Sequence, residues 1–293
     1  MRRRRFLTIT AAALAAGPAA ASPARWDGIA FGGEVSVTIR GGRGAEAALH
    51  ALVGDLRRIE ARFSLFRSDS DIARLNRDGA IAMDADWRAM VGHVDRLHRA
   101  TGGVFDPTIQ PLWRLMARTG GAPAPEAWRA ARARTGWHRV RHDGDMLRLA
   151  PGQALTLNGI AQGLASDIVA DRLADAGFGD VLVNLGEYRA GADGTWRLGI
   201  AGMPDRATLR GDALAVSEPG AMMLGRGRGH IFDATGTGPR PARWARVAVQ
   251  AEGAAVADGL STAFALMSPD AIRRTGLARR VLVQDAAGTV LRI

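Results

Sequence analysis

The apolar residues of this chain follow two spacings. Val35, Val37 and Ile39 recur at every second position, which predicts a strand with one face buried. Across Ala45–Phe63 the steps lengthen to Leu49, Leu52, Val53, Leu56 and Ile59, an amphipathic helix whose Arg57, Arg58, Glu60 and Arg62 face water. Ser68 or Ser70 can cap a short helix carrying Ile72 and Leu75. Trp87–Ala100 predicts another long helix, on which His93 and His98 fit as structural residues. Thr101 to Leu115 departs from both spacings, because two glycines, two prolines and Asp106 specify the backbone of a loop. Glu126–Arg134 predicts a basic peripheral helix, and Val140–Arg141 with Met146–Leu149 a hairpin around residues 142–145.

The stretch from Gln153 to Ala190 organises the rest. Ala154–Leu157 predicts a short strand and Asn158-Gly159 a turn. Ile160, Leu164, Ile168, Val169 and Leu173 then mark a helix that Gly177 and Gly179 end, before a buried strand at Val181–Val183. Gly159 and Gly163 lack a Cβ, which lets another group approach the backbone beside helix amides that favour anions, or only lets helix and sheet pack tightly. Further strands are expected at Trp196–Ala201, Leu214–Ser217 and Val247–Ala251, a helix over Ala254–Met267, and a closing hairpin of Val281–Gln284 with Thr289–Ile293. Strands and helices do not alternate strictly, so the expected class is α+β, with mixed or antiparallel sheets packed against helices.

Composition removes several chemistries. All 39 basic residues are arginine, so no Schiff-base or phosphate-loop lysine exists, and with no cysteine there is neither a disulfide nor a lipidated thiol. Residues 1–24 have a charged start, an apolar middle and a small-residue end, the pattern of a signal peptide cleaved near Ala21 or Ala24. Twin arginines before Phe6-Leu7 point to the twin-arginine route, leaving a periplasmic domain over 25–293. The net charge of +10 includes four arginines of that leader. No later stretch is long and apolar enough to span a bilayer, and no basic run interleaved with aromatics supports nucleic-acid binding.

Asp258 and Thr262 stand one turn apart on the 254–267 helix, where their oxygens suit a hard cation such as Mg²⁺ if phosphate supplies further ligands. A solvated aspartate and a threonine bonded to its own helix is the plainer alternative. His230 and Asp233, in a glycine-rich loop over 225–238, can form a base and its orienting partner.

Taken in order, these segments resemble the ApbE family of FAD:protein FMN transferases. RFSLFRSDSDIARLN is similar to the family's FS-x-Y segment, and TGGVFDPTIQPLWRL to T-x-GAFDPTV-x-PL. LNGIAQGLASDIVADRLADAGFGDVLVNLG resembles the GIAKG core, HIFDATG resembles HIIDP-x-TG, and ADGLSTAFAL resembles ADALSTALF. The resemblance implies an ApbE-like (T-fold-like) unit that binds Mg²⁺, cleaves FAD and attaches FMN to a Thr or Ser of an exported or membrane-attached redox protein, releasing AMP. By matching positions, Phe31, Phe66, Val104, Phe105, Asp106, Thr156, Gln162 and His230 contact FAD. Gly159 and Ala255 offer backbone metal contacts, Asp258 and Thr262 side-chain ones, and His230 and Asp258 carry the catalysis. Thr156 replaces the family's aspartate, Gln162 its Lys or Glu, Phe66 its tyrosine and Ala234 its proline, while Gly186-Glu187-Tyr188 replaces GGD. The LNGIAQG and GEYRA wording is similar to members serving nitrous-oxide respiration. Two other readings remain open, hydrolysis of FAD to FMN and AMP, or a flavin-binding assembly factor without turnover.

Overall fold

The computed structural model describes residues 23–293, so the expected leader lies outside the described residues except for Pro23 and Ala24. Eight strands form one sheet in which every neighbour is antiparallel and spatial order equals chain order. They are β1 (Ala24–Ala30), β2 (Gly33–Ile39), β3 (Val181–Asn184), β4 (Tyr188–Ala190), β5 (Ala213–Ser217), β6 (Arg246–Ala251), β7 (Ala278–Gln284) and β8 (Val290–Arg292). Six helices are inserted between β2 and β3, and two between β6 and β7.

The sheet is buried on both faces at its centre. Val181 and Val183 pack on the helical side, while Leu182 joins Leu214, Ala248 and Leu282 on the other. There a hairpin of Trp196–Gly199 with Arg206–Leu209 covers them with Trp196, Leu198 and Ala207. This double burial is why Val181–Val183 is apolar throughout instead of alternating.

On the helical side α1 (Ala45–Phe63), α3 (Ala85–Ala100), α6 (Ala161–Asp175) and α7 (Ala254–Phe264) form the main core with the sheet. Almost every residue of α7 is buried, and it lies between α6, α3 and the strands β5 and β6. Two glycines permit this. A Cβ on Gly163 would stand 2.3 Å from the Ala254 carbonyl oxygen, and one on Gly259 would stand 2.3 Å from a Leu97 methyl. Ser70 caps α2 (Asp71–Asp78) through the Ala73 amide at 3.2 Å. α4 (Gln110–Arg118) and α5 (Pro125–Arg132) form a smaller apolar cluster with Phe232, which seats the glycine-rich loop. α8 (Pro269–Thr275) precedes β7. No helix among the described residues is long and apolar enough to cross a membrane.

Three expectations change. Ala154–Leu157 is buried but is not a strand, because its backbone is satisfied elsewhere. The Asn76 side chain accepts from Leu155 N–H at 2.6 Å and donates to its carbonyl at 2.9 Å, and Thr156 N–H donates to the Pro107 carbonyl at 2.8 Å. The 142–145 hairpin is reduced to one bridge, Arg141 to Arg148, because Met146–Arg148 pairs mainly with Ala80–Ala82. The shaped loop after Thr101 ends sooner than expected, since Pro111 lies in the first turn of α4, where its missing N–H costs nothing.

Candidate active site

A cleft of about 760 Å³ opens where the loop after α3, the turn before α6, the β3–β4 corner and the loop around His230 meet. It unites the three glycine-rich stretches of the sequence. Of the expected residues, Val104, Phe105, Asp106, Thr156, Gly159, Gln162, His230, Asp258 and Thr262 line it. Phe31, Phe66 and Ala255 do not. Phe31 is buried in the core, with its N–H on Glu60 Oε1 at 3.0 Å and φ at 50°. Phe66 is 61% exposed beside Gly32, next to the Gly33–Glu34 part of the wall. Ala255 is buried, its N–H donated to Asp167 Oδ2 at 2.9 Å.

The wall around Asp106 is set by its own bonds. Asp106 Oδ1 accepts from the Thr108 N–H at 2.8 Å and hydroxyl at 2.6 Å, and Oδ2 from Trp137 N–H at 3.2 Å. Its carboxylate therefore shapes the loop and has little acceptor capacity left for a ligand. His98 Nδ1 meets the Phe105 carbonyl at 2.9 Å, in keeping with its structural reading. Gln162 donates to the Leu185 carbonyl at 3.0 Å and so fixes the β3–β4 corner. A φ of 113° favours glycine at Gly186, where a Cβ would also stand 2.4 Å from the Gln162 amide nitrogen.

The floor is oxygen-rich. Asp258 is 4% exposed, and its Oδ2 accepts only a long bond, from Gly163 N–H at 3.3 Å. Burial pushes its carboxyl up to about 7. Glu187, at the β3–β4 corner, is driven well above the ordinary carboxylate range by burial and then by the charge of Asp258, with the Val216 N–H at 3.3 Å opposing. Among the described residues neither carboxylate has an arginine partner, and Arg132 is the one arginine in the cleft wall. Thr262 Oγ1 approaches Ser217 Oγ at 3.5 Å, and a Cβ on Gly159 would stand 2.8 Å from that same Oγ1. A buried carboxylate without a cation, a hydroxyl one turn along and a backbone packed on that hydroxyl form a donor set that fits a hard cation. Among the described residues no cluster of three or more His, Cys, Asp or Glu can hold a metal alone. An ion here needs oxygens from its ligand as well.

His230 lines the same cleft. Its Nδ1 lies 3.0 Å from the Pro219 carbonyl oxygen. A carbonyl only accepts, so Nδ1 carries a proton, and in the neutral ring the lone pair is on Nε2. That carbonyl orients the ring in the role expected of Asp233. Asp233 Oδ1 accepts from the Thr235 N–H at 2.8 Å and hydroxyl at 2.7 Å, and Oδ2 from Arg240 at 2.5 Å. Although burial opposes it, Thr235 and Arg240 hold the Asp233 carboxyl below its ordinary value.

The sequence reading missed Glu187. It comes near Asp258 only because β4 and α7 both pack on α6 around one cleft, and the available signal was an acidic residue directly after the Asn184-Leu185-Gly186 turn.

An antiparallel sheet with a helical layer and a cleft that brings an apolar wall, an oxygen-rich floor and the His230 imidazole around one space fits an enzyme for a large, partly anionic ligand. The sequence pattern of the ApbE family matches residues 31–281. A FAD:protein FMN transferase of Vibrio cholerae is 28% identical over 243 residues, covering 73% of this chain and 72% of the relative. The apo crystal structure of the Pseudomonas stutzeri flavinyl transferase ApbE is 26% identical, covers 94% of this chain and 97% of its own, and superposes with a TM-score of 0.82. The ApbE protein of Thermotoga maritima, 23% identical with coverages of 92% and 97% and a TM-score of 0.80, shares the fold. The chain belongs to the ApbE family.

Proposed function

We propose that this chain is a Mg²⁺-dependent FAD:protein FMN transferase acting on an exported redox protein. The observation that carries this reading is the convergence of the family-like segments on one cleft that pairs a buried, unneutralised Asp258 with His230. In the reaction, a Thr or Ser hydroxyl oxygen bonds to the FMN phosphorus while the bond from that phosphorus to the bridging oxygen breaks. AMP leaves with the electron pair, and the hydroxyl proton passes to His230 Nε2. By accepting from Nδ1–H, the Pro219 carbonyl selects the neutral tautomer with its lone pair on Nε2 and aims the ring. Val104 and Phe105 give the planar parts of FAD an apolar wall. Asp258 and Thr262, with the Gly159 backbone, would hold Mg²⁺, which would neutralise the pyrophosphate in a chain without lysine. The arginine-rich leader supports a periplasmic site of action, and a membrane-attached acceptor fits that location.

Mass spectrometry of an acceptor peptide after incubation with the protein, FAD and Mg²⁺ tests the reading. Peptide carrying FMN, with AMP released, is expected. FMN and AMP without modified peptide means hydrolysis, and intact FAD means a carrier.

A further inference from the structure

A carboxylate outside the cleft ties its parts together. α7 starts after Gly253, which has no capping side chain, so its first amides would be left without partners in the core. Asp167, in the second turn of α6, supplies the acceptor from another element. Its Oδ1 takes Ala254 N–H at 2.8 Å and its Oδ2 takes Ala255 N–H at 2.9 Å. Gly253 allows the approach, since a Cβ there would stand 3.1 Å from Asp167 Oδ2. Arg189 of β4 adds its charge to the junction, its Nε 3.1 Å from Asp167 Oδ1 as an ion pair without hydrogen-bond alignment.

The same face of α6 touches the site directly. Gly163, one turn before Asp167, donates its N–H to Asp258, and Ser166 donates its hydroxyl to the Glu187 carbonyl at 3.0 Å. One carboxylate therefore fixes the helix bearing Asp258 and Thr262 against both α6 and the strand that follows Glu187. A plain helix cap needs neither the arginine from β4 nor a contact from another element, since Ser70 and Asp84 cap α2 and α3 from the adjoining residue.

We propose that Asp167 is a positioning residue of the transferase, setting the place of Asp258 and Thr262 toward the divalent cation. The inference rests on the proposed function. It is tested by thermal melts of the full chain titrated with Mg²⁺ at saturating FAD without acceptor, alongside FMN transfer. In Asp167→Asn the Mg²⁺ concentration giving half of the melting shift should rise about 10–100-fold, with a matching rise in the Mg²⁺ needed for transfer. Arg189→Gln leaves the cap acceptor in place and should give a smaller rise of the same sign, and it decides the matter if Asp167→Asn does not fold. A cap that only stabilises lowers the melting temperature and leaves both Mg²⁺ midpoints at the wild-type value, which overturns the inference alone. A wild type with neither a Mg²⁺-dependent shift nor transfer overturns the proposed function and the inference with it.

Discussion

Asp258 is the residue on which charge and position bear most. It is buried with one long amide bond and a second carboxylate facing it, so its ionised form has little support from the protein itself. Asp258→Asn keeps the shape and removes the charge. Transfer of FMN to an acceptor should then fall by about 10²–10³, or roughly 3–4 kcal/mol, while circular dichroism shows the fold intact. The same burial makes a prediction about pH. A carboxyl at about 7 in the folded state, against 3.8 as the ordinary value, holds more protons folded than unfolded across that interval. Unfolding free energy therefore falls as pH rises from 4 toward 7 in metal-free protein. His93, whose burial lowers its pKa, works the opposite way below 6.5, so the informative quantity is the difference between wild type and Asp258→Asn. Metal-free wild type should lose stability relative to the variant between pH 5 and 7 in urea melts, and Mg²⁺ should shrink the loss. A constant difference across that range would contradict the burial argument.

Among the elements, α6 and α7 set the site because their glycines let them touch. Gly163→Ala places a Cβ 2.3 Å from the Ala254 oxygen, backbone that cannot turn aside. Chemical denaturation should show a loss of about 1–3 kcal/mol, and transfer should fall further than stability alone explains, because the Gly163 amide also holds Asp258. These helices were legible in the sequence, since α1, α6 and the start of α7 carry long apolar periods. Asp258 and Thr262 were legible for the same reason, as a pair one turn apart. β1 was not. Its inward residues are Trp26, Gly28 and Ala30, and the large apolar Ile29 points outward at 81% exposure, so hydropathy does not alternate. Ala154–Leu157 misled because burial without a neighbouring strand looks the same in sequence, and Asn76 and Pro107, both distant in the chain, take the hydrogen bonds. The Pro219–His230 contact and the Glu187–Asp258 pair were hidden because each joins residues that only the folded chain brings together.

At the scale of the whole molecule, the sheet order places β1 at an edge among the described residues, which bears on where the expected leader would be cut. Among the described residues β1 pairs only with β2, from Ala24 opposite Ile39 to Ala30 opposite Gly33. A cut after Ala24 removes the first pair and starts the strand on a charged terminus at Arg25. A cut after Ala21 leaves Ser22 and Pro23 ahead of an intact strand, and proline, lacking an N–H to donate, suits the position just before one. The mature protein should therefore begin at Ser22, which intact-mass measurement of the periplasmic fraction checks. A terminus at Arg25 would show that the edge pair is dispensable, and a terminus at Met1 in that fraction would remove the signal-peptide reading. Replacing Arg2–Arg5 with lysine separates the two export routes, because it keeps the positive start that an ordinary secretory signal needs and removes the arginine pair. Retention of the lysine variant in the cytoplasm is the expected result, and unchanged export assigns the leader to the ordinary route.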